Sequence, residues 1–296
     1  MENNVLSLHQ ISKKYGAVQA LAGVSFDVPS GSVFGILGPN GSGKTTLLGI
    51  IMDVLKADQG TYSWFNEQPH SSLRKRIGTL LETPNFYHYY TAVQNLEITA
   101  AIKGHGKQDI DGALQMTGLY ERRHSKFSTY SLGMKQRLAI AAALLGDPQI
   151  LLFDEPTNGL DPAGIAEIRD LIRKLNQLGK TVIMASHLLD EVEKVCTHVA
   201  ILKKGNLLTA GLVNTVLSNE DIIEVSTDDL AKLESVLTAW PGVKSVQRFH
   251  TILQVTFEGE FTTGQVNQYC FEQGIVLSHL SIKKKSLEAK FIELTN

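Results

Sequence analysis

The chain of 296 residues contains only two cysteines, Cys196 and Cys270, in unrelated segments without metal-ligand spacing. A disulfide framework and a zinc site are therefore not expected, and a reducing cytosol is the simplest compartment. No stretch reaches the about 18 uninterrupted apolar residues of a membrane span, so any membrane role is expected to come through a partner. The opening Met1-Glu2-Asn3-Asn4 is not basic and lacks the following apolar run of a secretory signal. Positive charge is not in excess: 28 Lys and Arg face 30 Asp and Glu, a formal charge of −2, which gives no support for a nucleic-acid partner. Internal repeats and low-complexity tracts are also missing. What remains, 43% hydrophobic and 20% charged, is ordinary globular composition in a chain long enough for two domains.

The most informative stretch is Gly38-Pro39-Asn40-Gly41-Ser42-Gly43-Lys44-Thr45-Thr46. It follows the apolar run 33–37, a short buried strand, and leads into the apolar run 47–52, which continues as a helix. This is the phosphate-binding pattern G-x-x-x-x-G-K-T in its strand–loop–helix context. Its glycines let the backbone close around phosphates, and successive N–H groups with the helix N-terminus form an anion site. Lys44 brings a full charge to the β- and γ-phosphates, and the Thr45 hydroxyl is placed to ligate Mg²⁺. A glycine-rich turn without function would tolerate almost any residue at 44 and 45, so a nucleoside triphosphate ligand is expected.

Around this loop, residues 5–8 and 24–28 read as strands, with Lys13-Lys14-Tyr15-Gly16 between them. Tyr15 is either a surface aromatic or a platform for an adenine ring. Further strands are read at 61–65 and at 77–82, which ends in Glu82. Residues 91–118 read as helices broken at Gly104-His105-Gly106. Ser131 is a favoured N-cap for a helix stopped by Gly146 and Pro148. The wholly apolar strand 150–153 ends in Asp154-Glu155, at the strand end where a parallel sheet binds ligands. A helix over 162–178 and a strand over 181–185 follow, ending in Ser186-His187. This alternation predicts a mostly parallel sheet covered on both faces. Beyond about 218 the order becomes strand 222–226, helix 228–240, strands 243–249 and 252–257, helix 263–272, strand 275–282 and a helix from Ser286. That order predicts a ferredoxin-like domain. Lys283-Lys284-Lys285 reads as a solvated turn.

With the run Pro156-Thr157-Asn158-Gly159-Leu160-Asp161-Pro162 after the paired acids, residues 5–218 resemble the nucleotide-binding subunit of an ATP-binding cassette (ABC) transporter. Gly38–Thr46 is similar to the Walker A, 150–155 to the Walker B, Gly159-Leu160-Asp161 to the D-loop and His187 to the switch histidine. Tyr15 matches the adenine-stacking aromatic. Tyr130-Ser131-Leu132-Gly133-Met134-Lys135-Gln136-Arg137 stands where the family has its signature, usually Leu-Ser-Gly-Gly-Gln. Glu82 stands where the family usually has a glutamine that contacts Mg²⁺ and water; a carboxylate is also a hard oxygen ligand. Both departures resemble exporters of the bacitracin- and lantibiotic-resistance type and the gliding-motility ATPase.

The resemblance implies an α/β P-loop NTPase with an antiparallel β subdomain and a helical subdomain at about 84–145, together spanning 1–218. The small α+β ferredoxin-like accessory domain covers 219–296. It implies an ATPase using ATP and Mg²⁺, with Glu155 and His187 catalytic and with Thr45, Glu82 and Asp154 on the metal. Ser131, Gly133 and Met134 then complete the ATP site of a second subunit, in a sandwich with a second copy or a paralogous ATPase. The expected partner is a separately encoded polytopic permease, reached through the aromatic segment Phe86-Tyr87-His88-Tyr89-Tyr90 unless those rings only fill the subdomain core. The expected location is the cytoplasmic face of the membrane, and export is the expected direction. The alternative is a soluble ABC ATPase without a transport role. A purely regulatory nucleotide-binding module is disfavoured because Glu155 and His187 are both in place.

Overall fold

The computed structural model describes residues 3–70, 72–81, 84–217, 222–259 and 261–283. The chain opens with two long strands, β1 (Asn4–Tyr15) and β2 (Val18–Pro29), paired as an antiparallel hairpin. The register shifts between Leu8 and Ile11, where Gln10 has φ +54°. This bulge lets Ile11 turn inward with Leu6 and Leu8 despite the odd spacing. β3 (Val33–Leu37) follows and runs through loop 38–43 into α1 (Lys44–Ile51). β4 (Gln59–Trp64) returns to pair with β1, which gives a three-stranded antiparallel sheet in the order β2-β1-β4. A 3-10 turn over Leu73–Arg76 leads to β5 (Ile77–Leu80).

Three helices come next: α2 (Ala92–Lys103), α3 (Ile110–Met116) and α4 (Leu132–Leu144). Thr91 starts α2 with a capping box: its hydroxyl accepts from the Gln94 N–H while the Gln94 side-chain oxygen accepts from the Thr91 N–H. Gly104, at φ +71°, stops it where the sequence breaks. Phe86 stacks edge-on against Phe127 at 5.3 Å, whereas Tyr87 and Tyr89 are exposed. The aromatic segment therefore divides between filling the subdomain and presenting a surface. Lys103 turns under the end of α4, donating to the carbonyls of Ala142 (2.8 Å), Ala143 (3.4 Å) and Leu145 (3.2 Å). These are acceptors that a helix C-terminus otherwise leaves unpaired.

The chain then alternates β6 (Ile150–Asp154), α5 (Pro162–Gln177), β7 (Thr181–Ser186) and α6 (Leu189–Val195). β8 (His198–Lys203) and β9 (Asn206–Leu212) complete this part, and α7 (Val213–Leu217) follows them. One six-stranded sheet runs β5-β6-β7-β3-β8-β9, parallel except for β9. Every residue of β3, β6 and β7 is buried, as a sheet covered on both faces requires.

The chain divides into two compact units between Val213 and Asn214, a few residues before the boundary at 218 read from the sequence. The second unit contains β10 (Ile222–Ser226), α8 (Leu230–Thr238), β11 (Val243–Phe249), β12 (Ile252–Phe257), α9 (Thr263–Glu272) and β13 (His279–Lys283). The order β11-β12-β10-β13, all antiparallel, is that of a ferredoxin-like sheet. Ile223, Val225, Leu253 and Val255 pack against Leu233, Leu237, Val266 and Cys270 of the two helices. The strand expected from residue 275 starts only at His279, because the Ile275 N–H closes back on the Cys270 carbonyl at the end of α9. Lys283 ends a strand and pairs with Glu224 at 3.0 Å. Lys284, Lys285 and the helix expected from Ser286 lie outside the described residues.

Burial holds the Lys103 ammonium down to a pKa of about 8, against about 10.4 in an unfolded chain. Between these values the unfolded chain binds more protons than the native one, so this group makes stability rise with pH over that window. We expect denaturant unfolding of Lys103→Met to lack that part of the rise from about pH 8 to 10 seen in the wild type.

Candidate functional site

Parallel pairing sets the C-terminal ends of β3, β7 and β6 side by side, with Leu37 opposite Ser186 and Asp154 opposite Ala185. Loop 38–43 leaves the sheet there and is backed tightly. Gly43 has φ +106°, and a Cβ on it would strike the Ala20 carbonyl and Leu21; one on Gly38 would strike the Leu202 carbonyl and Ser42 Oγ. Only glycine meets both demands at Gly43. The turn between β8 and β9 holds the loop from behind, since the Gly205 N–H donates to the Ser42 carbonyl at 3.0 Å. Pro39, Asn40, Gly41 and Thr45 are exposed at the mouth, while Ser42 and Lys44 are buried. Thr46 is half-buried in the first turn of α1.

Lys44, 6% exposed, donates to the carbonyls of Gly38 at 2.8 Å and Pro39 at 3.3 Å. Its ammonium also lies 3.4 Å from Glu155 Oε1. The Thr45 hydroxyl donates to Asp154 Oδ2 at 3.1 Å. Asp154 completes β6, and Glu155 leaves the strand with φ +48°, a left-handed backbone uncommon outside glycine. Such a conformation costs on the order of 1–3 kcal/mol and persists only where its surroundings dictate it. Here the Glu155 N–H donates to Ala185 O at 3.0 Å and the Glu155 carbonyl accepts from Asn158 at 3.1 Å. The turn aims the carboxylate across β7, where Oε2 meets His187 Nδ1 at 2.8 Å and the His187 N–H at 3.4 Å. One carboxylate is thus held between an ammonium and an imidazole at the mouth of a glycine loop.

Ser131, Gly133 and Met134 stand together at the start of α4, apart from this group. The Ser131 hydroxyl accepts from the Met134 N–H at 3.3 Å as an N-cap. Leu132 reaches toward Gly159, and Gly133 faces Leu160, so this turn abuts the loop before α5. Asp161 caps α5, with Oδ1 accepting from the Gly164 N–H at 3.0 Å. Tyr15 is 47% exposed at the tip of the first hairpin, opposite Val18 and close to the Ala20 that backs Gly43. Glu82 lies outside the described residues. The sequence reading missed the turn at Gly205 behind the loop, although Lys204-Gly205-Asn206 between two apolar runs is a hairpin signal.

The residues present fit a phosphate ligand with a divalent cation. Ser42 Oγ is buried and has no hydrogen-bond partner among the described residues, and the cradle behind it has no space for side chains. Thr45 and Asp154 offer hard oxygen donors. Among the described residues no group of three or more His, Cys, Asp or Glu is arranged to hold a metal. A magnesium ion, which is seldom caged by protein alone, needs only one or two such donors beside phosphate oxygens.

The family model described as "ABC transporter" matches residues 21–158. A Bacillus subtilis protein described as an uncharacterized ABC transporter ATP-binding protein, YhcH, is 35% identical over 98% of this chain and 96% of its own. The chain belongs to the ABC transporter ATP-binding proteins. Another member, the bacitracin transport ATP-binding protein BcrA of Enterococcus faecalis, is 31% identical over 98% of this chain and 96% of its own. Among solved structures, the ATP-binding cassette MJ0796, a dimer in a post-hydrolysis state with ADP and Pi, superposes with a TM-score of 0.61. It is 30% identical and covers 70% of this chain and 98% of that one. No helix among the described residues of this chain is long and apolar enough to cross a membrane.

Gly43→Ala adds a side chain to a left-handed residue already against the Ala20 carbonyl. We expect it to weaken binding of a fluorescent ATP analogue by about tenfold or more, because the loop must open to relieve the clash.

Proposed function

We propose that the first unit is a Mg²⁺-dependent ATPase that closes on ATP as a dimer and drives a separately encoded membrane permease, in the direction of export. The observation that carries this reading is the Glu155 carboxylate, held between Lys44 at 3.4 Å and His187 at 2.8 Å. The β- and γ-phosphates take their place against 38–46, and Lys44 turns from Glu155 toward them. Glu155 then accepts a proton from a water whose oxygen forms the new bond to the γ-phosphorus, as the bond to the ADP oxygen breaks. His187 keeps the carboxylate aimed through Nδ1 and is the residue proposed to contact the γ-phosphate. Thr45, Asp154 and Glu82 are the residues that would hold Mg²⁺, which neutralises charge on the phosphate oxygens when bound.

The second half of the site comes from another subunit, a second copy or a paralogous ATPase. In this reading the partner's Ser131, Gly133 and Met134 present a hydroxyl and helix N-terminal N–H groups to the γ-phosphate. Tyr15 stacks on the adenine. The dimeric state named for the MJ0796 cassette supports the arrangement. Relatives named for bacitracin transport support a transport role. The exposed Tyr87 and Tyr89 suit docking of the permease, since aromatic rings are enriched at interfaces, and that contact would hold the protein at the cytoplasmic face of the membrane. The second unit is an accessory domain without a catalytic part.

The test is steady-state ATP hydrolysis beside nucleotide binding. Glu155→Gln is expected to retain ATP binding and lose turnover by about 10²-fold or more, the span a general base contributes. His187→Ala is expected to slow turnover more than it weakens binding, and specific activity should rise with protein concentration. Undiminished hydrolysis by the Glu155→Gln protein would refute the assignment.

A further inference from the structure

α5 begins at the loop that abuts the Ser131 turn and runs beside α6, which starts one residue after His187 and Leu188. Its apolar face is ordinary, with Ile168, Leu171, Ile172 and Leu175 buried. The contact with α6 includes charged side chains. Arg169 Nη1 reaches Glu191 Oε1 at 3.5 Å and Asp190 Oδ2 at 3.8 Å. One turn on, Arg173 Nη2 donates to the Lys194 carbonyl at 2.8 Å.

Glu191 is 3% exposed, and its Oε2 is buried without a hydrogen-bond partner among the described residues. Apolar packing would hold two helices together at less cost, since a buried carboxylate is expensive to desolvate and a long, single contact recovers little of that cost. Burial raises the Glu191 carboxyl above the usual range, Arg169 pulls it back, Asp190 adds to the rise, and Lys194 and Arg173 oppose it. The other face of α6 lies on β3 itself, with Val192 and Cys196 against Gly35. α6 is therefore placed by β3 on one side and by this ion pair on the other. His187 leaves β7 at the start of that segment, and the Leu188 N–H is tied to Ser186 Oγ at 3.0 Å.

We infer that Arg169 and Glu191 are positioning residues for hydrolysis. Their pair locks α6 to α5 and so keeps His187 on Glu155, and the loop capped by Asp161 sets that alignment through α5. The inference rests on the ATPase reading above. It predicts a lesion confined to chemistry: the phosphate loop is untouched, while the carboxylate loses the support of a correctly placed imidazole.

The test uses the full chain. Glu191→Gln keeps the shape and removes the charge; Arg169→Met with Glu191→Gln removes both charges, so that neither is left buried alone. Each is expected to lower kcat by about fivefold or more at a KM for ATP within about twofold of wild type, with an unchanged melting temperature. Arg169→Lys is expected to recover part of the rate. Wild-type kcat in the double variant, or a loss of kcat that only follows a loss of melting temperature, would overturn the inference. Glu155→Gln in the same assay separates the two readings. Turnover that survives Glu155→Gln removes Glu155 as the base, and with it the mechanism beneath the inference. Turnover that depends on Glu155 but ignores Glu191→Gln overturns the inference alone.

Discussion

The hydrogen-bonded register of β6, β7 and β3 is the constraint on which the site depends. Asp154 lies opposite Ala185, and Leu37 lies opposite Ser186. Three strand ends therefore stop at the same level, and the loops leaving them carry Lys44, Glu155 and His187. In a strand, a slip of one residue reverses which face each side chain meets. Such a slip in β6 would take Asp154 from the Thr45 hydroxyl. Complete burial of all three strands works against the slip, since it would force buried polar groups out of their pairings. The core thus does more than stabilise the unit, because it sets the relative height of the three chemical groups.

Charge is economical at that level. Lys44 is the ammonium beside Glu155, and it also bonds two carbonyls of its own loop. A buried ammonium needs such partners, and Glu155 needs a counter-charge as well. Both needs are met by groups that a phosphate can replace. Phosphate oxygens are strong acceptors for an ammonium, so under the proposed function Lys44 would exchange one set of acceptors for another. The exchange would leave Glu155 with His187 as its partner.

Much of the site was legible because its chemistry restricts residue types locally. Gly38–Thr46, the acids after an apolar strand and the cap at Ser131 each follow from backbone geometry within a few residues. The antiparallel strands at β8 and β9 were less legible. Their value to the site is a turn that supports Ser42 from behind, a contact between residues far apart in sequence. The left-handed backbone at Glu155 leaves no trace in composition, since glutamate gives no local reason for it; only the bond to Ala185 and the turn to Asn158 do. Arg169 and Glu191 are likewise surface-type residues on two amphipathic helices, and only the packing of α5 on α6 makes a buried pair of them. In the second unit, period and turns outlined the fold, and only the end of α9 delayed the last strand.

The unusual signature sequence shows why local departures need not disable such a site. Tyr130 is 4% exposed, its hydroxyl donates to the Arg122 carbonyl at 2.7 Å, and its ring lies 6.2 Å from Phe127. It is a core residue, and an aromatic there ties the loop ahead of α4 to the subdomain. Leu132 is 46% exposed and touches the neighbouring loop at Gly159. Met134 contributes its backbone N–H to the Ser131 cap, a contact independent of side-chain type. A helix start of this kind offers phosphate its hydroxyl and its unpaired N–H groups. Those features depend on Ser131 and on the path of the backbone past Gly133, and both are retained. The substitutions therefore alter what packs around the turn and leave what the turn presents.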